Sequence, residues 1–262
     1  MNLDLTGKRA VVCGSTQGIG LATAIELAQM GASICLVARN EEKLKDALTQ
    51  LDASQGQSHD YFAVDFSHPE AVKQAAVSYL EKVSNVHILV NNTGGPKGGQ
   101  AIDAPVEEFL AAFNMHLVCN QHLAQVFSES MKKNGYGRIV NIISTSVKIP
   151  LKGLGVSNTI RGAVASWSKT LANELGQFNI TVNNVLPGAT NTVRLKSIIE
   201  NKAAKTGDSI ENVSNAMVSA IPMGRFAVAE EIANTVAFVC SPAASYINGV
   251  NIPVDGGRTG SM

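Results

Sequence analysis

A chain of 262 residues, 45% hydrophobic and 16% charged, is long enough for one large buried core and too apolar for disorder. Lysine plus arginine and aspartate plus glutamate both number 21, so no basic excess exists to recruit nucleic acid or anionic lipid, and neither is expected as a partner. Four scattered cysteines, Met1–Asp4 without a basic-then-apolar leader pattern, and no apolar run of membrane length set the remaining expectations: no metal, no disulfide, a soluble cytoplasmic protein.

Short Val/Ile-rich runs at 9–13, 33–38, 61–64, 86–91, 138–143, 181–186 and 251–254 read as strands. Helical periodicity lies between them, near 18–30, 41–53, 69–83, 106–133, 158–177 and 229–240. Continuous apolar strands alternating with helices give an α/β fold, a seven-stranded parallel sheet covered on both faces within a single domain over 1–262. Cys13 and Cys35 fall within strands and are expected to pack as small buried hydrophobes. Segment 189–226 breaks the rhythm, being polar and weakly helical. Its place after the sixth strand makes it a candidate substrate loop or lid, the alternative being a tolerated surface insertion.

The first strand runs into Gly14-Ser15-Thr16-Gln17-Gly18-Ile19-Gly20, followed at once by a helix. Glycine at 14 permits a tight turn, at 18 it removes a side chain where backbone must approach a diphosphate, and at 20 it lets the helix close onto the sheet. The positive end of that helix then faces the phosphates. This strand–turn–helix context makes the turn a Rossmann-type, doubly wound dinucleotide site. Arg39 ends the second strand, where NAD-preferring folds place a carboxylate on the ribose hydroxyls. A guanidinium there binds a 2′-phosphate, which points to NADP, with NAD possible; the counter-reading is a solvated arginine paired with Glu41 or Glu42.

These blocks occur in order with Asn91-Asn92-Thr93-Gly94, Gly137-Arg138-Ile139-Val140-Asn141-Ile142, Pro187-Gly188, Ile221-Pro222-Met223-Gly224-Arg225-Phe226 and Asp255-Gly256-Gly257. Over about residues 5–257 the pattern resembles the short-chain dehydrogenase/reductases, and within them reductases of the 3-oxoacyl-[acyl-carrier-protein] type. The resemblance implies an oxidoreductase acting on a small carbonyl or alcohol substrate. It places Asp65 and Phe66 at the adenine, Asn91 and Asn92 as braces of strand four and the adenosine ribose, and Gly94 as backbone room. After Pro187 and Gly188 it places the backbone of Thr190 and the hydroxyl of Thr192 at the carboxamide or diphosphate. It also implies a homotetramer (or homodimer) built on helices 106–133 and 158–177 and the C-terminal region. Trp167 is then either an interface anchor or a core residue, and Arg258–Met262 an expected mobile tail.

Catalysis in the resembled family uses Asn, Ser, Tyr and Lys. Asn114 and Ser144 stand for the first two. The Tyr-x-x-x-Lys motif, expected about thirteen residues after the serine, instead reads Ser157-Asn158-Thr159-Ile160-Arg161. Ser157 is a far weaker acid than a phenol, and Arg161 can fork onto ribose hydroxyls but cannot relay protons. Lys148 and Lys152 are candidate replacement acids, unless both are solvated loop charges. His116, two residues from Asn114, is expected on a different helix face. Two functions follow: a carbonyl reductase with a non-standard proton donor, or a nicotinamide-binding scaffold or sensor that has lost turnover.

Overall fold

The computed structural model describes residues 1–261. Seven parallel strands form one sheet: β1 (Arg9–Cys13), β2 (Ser33–Ala38), β3 (Asp60–Ala63), β4 (Ile88–Asn91), β5 (Gly137–Ile142), β6 (Ile180–Pro187) and β7 (Asn251–Val254). Their order is β3-β2-β1-β4-β5-β6-β7. The chain therefore winds outward from β1 in one direction, then restarts at β4 on its other side. The β1/β4 boundary is the topological switch point, and ligands of such sheets bind beyond the strand carboxyl ends there.

Strand side chains alternate between two cores because the pleat has a period of two. Ala10, Val12, Ile34, Leu36 and Val90 pack one face, against α1 (Gly18–Gln29), α2 (Glu41–Leu48) and α9 (Ala229–Cys240). Val11, Cys13, Cys35, Val37 and Leu89 pack the other, against α3 (Pro69–Val83), α5 (Cys119–Asn134) and α6 (Gly155–Leu175). Cys13 and Cys35 are thus the buried hydrophobes expected, and burial pushes both thiols well up from their ordinary range.

Three departures from the sequence reading bear on the site. The stretch 106–133 is not one helix: α4 (Val106–Phe113) passes through a π turn over Asn114–Val118 before α5 begins. Segment 189–226 holds two helices, α7 (Val193–Thr206) and α8 (Ile210–Ser219). They are capped by Thr192 and Ser209 and share a small core of Leu195, Ile199, Ala203 and Val213. The polar composition is that of a helical pair with one narrow apolar stripe each. The end of the chain is also partly held. The Asp255 carboxylate accepts the Gly257 and Thr259 N–H groups at 3.0 and 2.8 Å, while Met262 lies outside the described residues.

Candidate functional site

The glycine turn is held by close approach as well as by hydrogen bonds. Gly14 and Gly18 sit at φ +60° and +56°, where L side chains are strained. A Cβ on Gly14 would collide with the Asn92 carbonyl oxygen, and one on Gly20 with the Gly14 carbonyl oxygen. Asn92 fastens the two sides of the switch point, its Nδ2 donating to the carbonyls of Cys13 at 3.3 Å and Gly14 at 3.2 Å. Ser15 is fully buried, and its Oγ accepts the Val37 N–H at 2.9 Å. Its hydroxyl ties β1 to β2, leaving only its backbone for a ligand. Thr16 is half-buried, and Ile19 packs toward the core. Gln17 begins α1 without a side-chain cap, and no acid occupies the first turn, so the helix N–H groups are free for an anion.

At the end of β2, Arg39 is exposed and has no ion pair among the described residues. Glu41 and Glu42 both pair with Lys45, at 3.2 and 3.0 Å, so the counter-reading of an Arg39–glutamate pair is not what forms. Asp65 accepts the Ser67 N–H at 2.9 Å; that bond, helped by the field of Arg39, holds its carboxyl below the usual range. Phe66 is buried, and its carbonyl accepts the Cys119 thiol at 3.3 Å. A Cβ added to Gly94 would meet no protein atom within 4 Å, so the space beside it is open to a ligand. A glycine cradle, a free helix N-terminus and an unpaired guanidinium fit a dinucleotide with an extra phosphate on its adenosine half.

The other end of the crevice lies past β5 and β6. Ser144 follows β5, its Oγ accepting the Ser146 N–H at 3.1 Å. Arg161 is buried, and its Nη1 donates to the Ile142 carbonyl at 3.2 Å, two residues before Ser144. Ser157 sits one turn earlier on the same face of α6 and is half-buried. Arg161 thus ties this face of α6 to the strand end that leads into Ser144. Burial and the Arg194 guanidinium bring Arg161 down to about 10, so it remains a cation at neutral pH.

Asn114 is not in this group. It starts the π turn with its side chain exposed, whereas His116 is almost wholly buried and hydrogen-bonds Thr93 Oγ1 through Nδ1 at 2.5 Å. The two do face different ways, but the inward one is His116. The buried stripe of the helix, Leu123, Cys119 and then His116, runs on at helical spacing and passes Asn114 by. Burial and the Arg161 charge lower His116 to about 2, so the ring is neutral, and its Nε2 is buried without a partner. Lys148 and Lys152 are exposed loop residues with no ion pair among the described residues.

Past β6, Gly188 packs so tightly on Asp255 that a Cβ would overlap it, locking the two motif turns together. Thr190 is buried and bridges Ala227 in parallel fashion, its neighbours carrying the bonds: Asn191 N–H to Ala227 at 2.8 Å and Ala227 N–H to Ala189 at 3.0 Å. The Thr192 hydroxyl caps α7, accepting the Leu195 N–H at 3.4 Å, and its methyl carbon lies 3.3 Å from where a Cβ on Gly18 would stand. Helix α7 therefore starts against the glycine turn.

The family model described as enoyl-(acyl carrier protein) reductase matches residues 14–259. The chain is 32% identical to the 7alpha-hydroxysteroid dehydrogenase of Escherichia coli over 98% of its own length and 96% of the relative's. It superposes on L-sorbose reductase from Gluconobacter frateurii, complexed with NADPH and L-sorbose, with a TM-score of 0.93 and 32% identity over the whole of both chains. On an NAD+-bound xylitol dehydrogenase the TM-score is 0.89, with 29% identity over 96% of this chain and 99% of the other. The chain belongs to the short-chain dehydrogenase/reductases. As a short-chain dehydrogenase/reductase it is an oxidoreductase of α/β, single-domain build.

Within that frame the family motifs are also the joints of the fold. Arg225 grips Glu231 with both terminal nitrogens, at 2.8 and 2.6 Å, and Glu231 accepts the Val228 N–H at 2.9 Å. Asn91 donates to Asn141 Oδ1 at 2.9 Å, Asn141 to Asn184 at 2.9 Å and Asn184 to Asn251 at 2.8 Å, an asparagine row across β4, β5, β6 and β7. Trp167 is partly buried and donates to Gln121 at 2.7 Å, joining α6 to α5.

Proposed function

We propose that this short-chain dehydrogenase/reductase is an NADP(H)-dependent carbonyl reductase, or alcohol dehydrogenase in reverse, that works without a tyrosine acid. Arg161 Nη1 on the Ile142 carbonyl carries the reading, because it seats the Ser157/Arg161 face against the strand end bearing Ser144. Ser144 is then the donor that polarises the carbonyl oxygen, acting through a hydrogen bond that strengthens as charge develops there. Arg161 presents its remaining N–H donors to ribose hydroxyls. Ser157, shorter than a tyrosine by roughly 4 Å from covalent dimensions, orders a water in the space left and passes a proton through it. Neutral His116 contributes a hydrogen bond through the unpartnered Nε2 and does not act as an imidazolium acid.

The dinucleotide would be held by the Gly14–Gly20 turn and the α1 N-terminus at its diphosphate, Arg39 at the 2′-phosphate and Asp65-Phe66 at the adenine. Asn91 and Asn92 would back the adenosine ribose through the β4 end, and Pro187, Gly188, Thr190 and Thr192 would line the carboxamide side. When bound it supplies the hydride; the protein supplies geometry and charge. Segment 189–226 acts as the lid. The face of α4 exposes Val106, Leu110 and Phe113 at helical spacing, which supports a homo-oligomer closing over these helices.

The second reading, a dinucleotide-binding scaffold without turnover, draws on the same substitution: no group in the crevice replaces the tyrosine as a titrating acid. Purified protein with NADPH is mixed with β-keto thioesters, quinones and small ketones while absorbance is followed, beside Ser157→Tyr/Arg161→Lys. Turnover by the parent that Arg161→Ala abolishes upholds the reductase. Turnover only in the double variant upholds the scaffold, and absence of NADPH binding overturns both.

A further inference from the structure

The chain is neutral overall, yet its charge is not evenly placed around the crevice. The three segments that follow β4, β5 and β6 on the reacting side, residues 93–102, 144–161 and 188–199, hold Lys97, Lys148, Lys152, Arg161, Arg194 and Lys196, and the first carboxylates, Asp103 and Glu200, come only after the first and third segments end. None of the six is ion-paired among the described residues. The segments form one rim. Gly99 and the 153–155 turn exchange backbone bonds of 2.8 and 2.9 Å, and Arg194 on the first turn of α7 reaches across to the Pro96 carbonyl at 2.5 Å.

Two of the cations stand out, Arg161 because it is buried and Arg194, itself exposed, because it bonds across the rim. Arg161 is buried with one carbonyl for a partner, which leaves most of its donors without a protein acceptor. Arg194 stands at the mouth, beside Gly95, where a Cβ would come within 3.4 Å of its Nη2. The Arg194 guanidinium, acting with burial, lowers the proton affinity of Arg161, so the Arg161 cation lies within the field of the rim. An uncompensated buried guanidinium is costly to keep, and ribose hydroxyls satisfy its donors without neutralising its charge, which an anion in the crevice would do.

The cofactor's own phosphates do not account for this. Arg39 and the α1 N-terminus serve them at β2 and β1, whereas Ser144 and Arg161 lie at β5, about 14 Å from β2 at three strand spacings. We propose that the rim around Arg161 and Arg194 selects a small carbonyl substrate carrying a carboxylate, with Arg194 as its anchor and the oxo group directed to Ser144. The inference rests on the carbonyl-reductase reading and names its substrate class. Arg194 is a positioning residue here, and a carboxylate matches its planar fork in a way a neutral ketone does not.

The test uses NADPH-loaded full-length protein with 2-, 3- and 4-oxo carboxylic acids beside their methyl esters. At least one acid is expected to exceed its ester in kcat/KM by about tenfold or more, the factor a charge-assisted hydrogen bond carries. Arg194→Met is expected to lower kcat/KM for that acid about tenfold more than for its ester, through KM, with Arg194→Lys between the two. Equal use of acids and esters, or an Arg194→Met effect of the same size on both, overturns it. If nothing turns over, calorimetry on the NADPH-loaded protein decides: acids binding without esters upholds the anion site, and neither binding overturns it. NADPH affinity is measured separately by its fluorescence. Its loss sinks the cofactor reading, and the acid-versus-ester titration on free protein then still decides the anion site.

Discussion

Arg161 on α6 holds the end of β5, and His116 on the neighbouring π turn holds the segment that follows β4. The guanidinium holds the Ile142 carbonyl at 3.2 Å, and the imidazole holds Thr93 Oγ1 at 2.5 Å. Burial, helped by the charge of the first, keeps the second neutral. Among the described residues neither has a carboxylate partner, so the pair is a site arranged at the expense of stability. Arg161→Met is therefore expected to raise the stability of the ligand-free protein by about 1 kcal/mol while removing substrate turnover. Urea unfolding beside activity checks this. A loss above about 2 kcal/mol would mean that the guanidinium is a structural prop.

The asparagine row gives a second expectation. Asn141 is its middle member, donating to Asn184 and accepting from Asn91, and it is fully buried. Asn141→Leu strands a donor on one side and an acceptor on the other, at about 2–5 kcal/mol together. Asn91 stands at the end of the row with its Oδ1 already unpartnered. Asn91→Leu strands only one acceptor and is expected to cost about 1–2 kcal/mol. Urea midpoints that come out equal for the two variants would argue against a row bonded in series.

How much of this was legible follows from where each signal lives. Strands 9–13, 33–38 and 251–254 and helices 69–83 and 229–240 have the same bounds in sequence and structure, because apolar runs and punctuation such as Pro69 are local. Glu41 opens α2 as expected, but the helix ends at Leu48, before the polar residues that the periodicity carried to 53. The π turn at Asn114–Val118 left no mark in propensity, since its residues are ordinary helix formers. His116 could have been found by extending the buried stripe of α5 backward; motif matching chose the asparagine next to it. The glycine turn and Arg39 were readable because a turn type and a strand end are sequence features. The asparagine row and the Arg161–Arg194 relation were not, since they depend on register between strands and on where α7 falls.

Arg39 decides the cofactor in the proposed function. With no acidic partner among the described residues, it is free to take a phosphate. Arg39→Ala is expected to weaken NADPH about ten- to a hundredfold, the range of a charge-assisted contact, and to leave NADH within about twofold. Fluorescence titration of the two cofactors checks it. Equal weakening of both would return Arg39 to the role of a solvated strand end.

Gly94 separates ligand space from protein packing. A Cβ at Gly14 meets backbone, so Gly14→Ala is expected to harm folding and binding together. A Cβ at Gly94 meets no protein atom within 4 Å, and its φ lies outside the left-handed range. Gly94→Ala is expected to leave stability within about 0.5 kcal/mol and to raise the NADPH dissociation constant about tenfold by intruding on the bound dinucleotide. Thermal melts without ligand, beside the titration, test both halves. An unchanged dissociation constant would put the dinucleotide elsewhere.

Acid sensitivity follows from two neutral histidines. His87 is buried, its Nδ1 accepts the Arg9 N–H at 3.1 Å, and burial with the charges of Lys8 and Arg9 lowers it to about 4; His116 is lowered to about 2. An unfolded histidine titrates near 6.5. Above that value both states hold these rings neutral, and the stability they allow is fully present. As the pH falls below it, the unfolded chain takes up protons that the folded chain refuses, so stability is lost at up to about 1.4 kcal/mol per pH unit for each histidine. The loss from His87 ends near pH 4, where the folded ring also protonates, and that from His116 continues toward pH 2. Urea unfolding between pH 7 and 4.5 is expected to show this slope, and His87→Gln, neutral throughout, to reduce it by about half. A slope unchanged in His87→Gln would place the acid sensitivity on other groups.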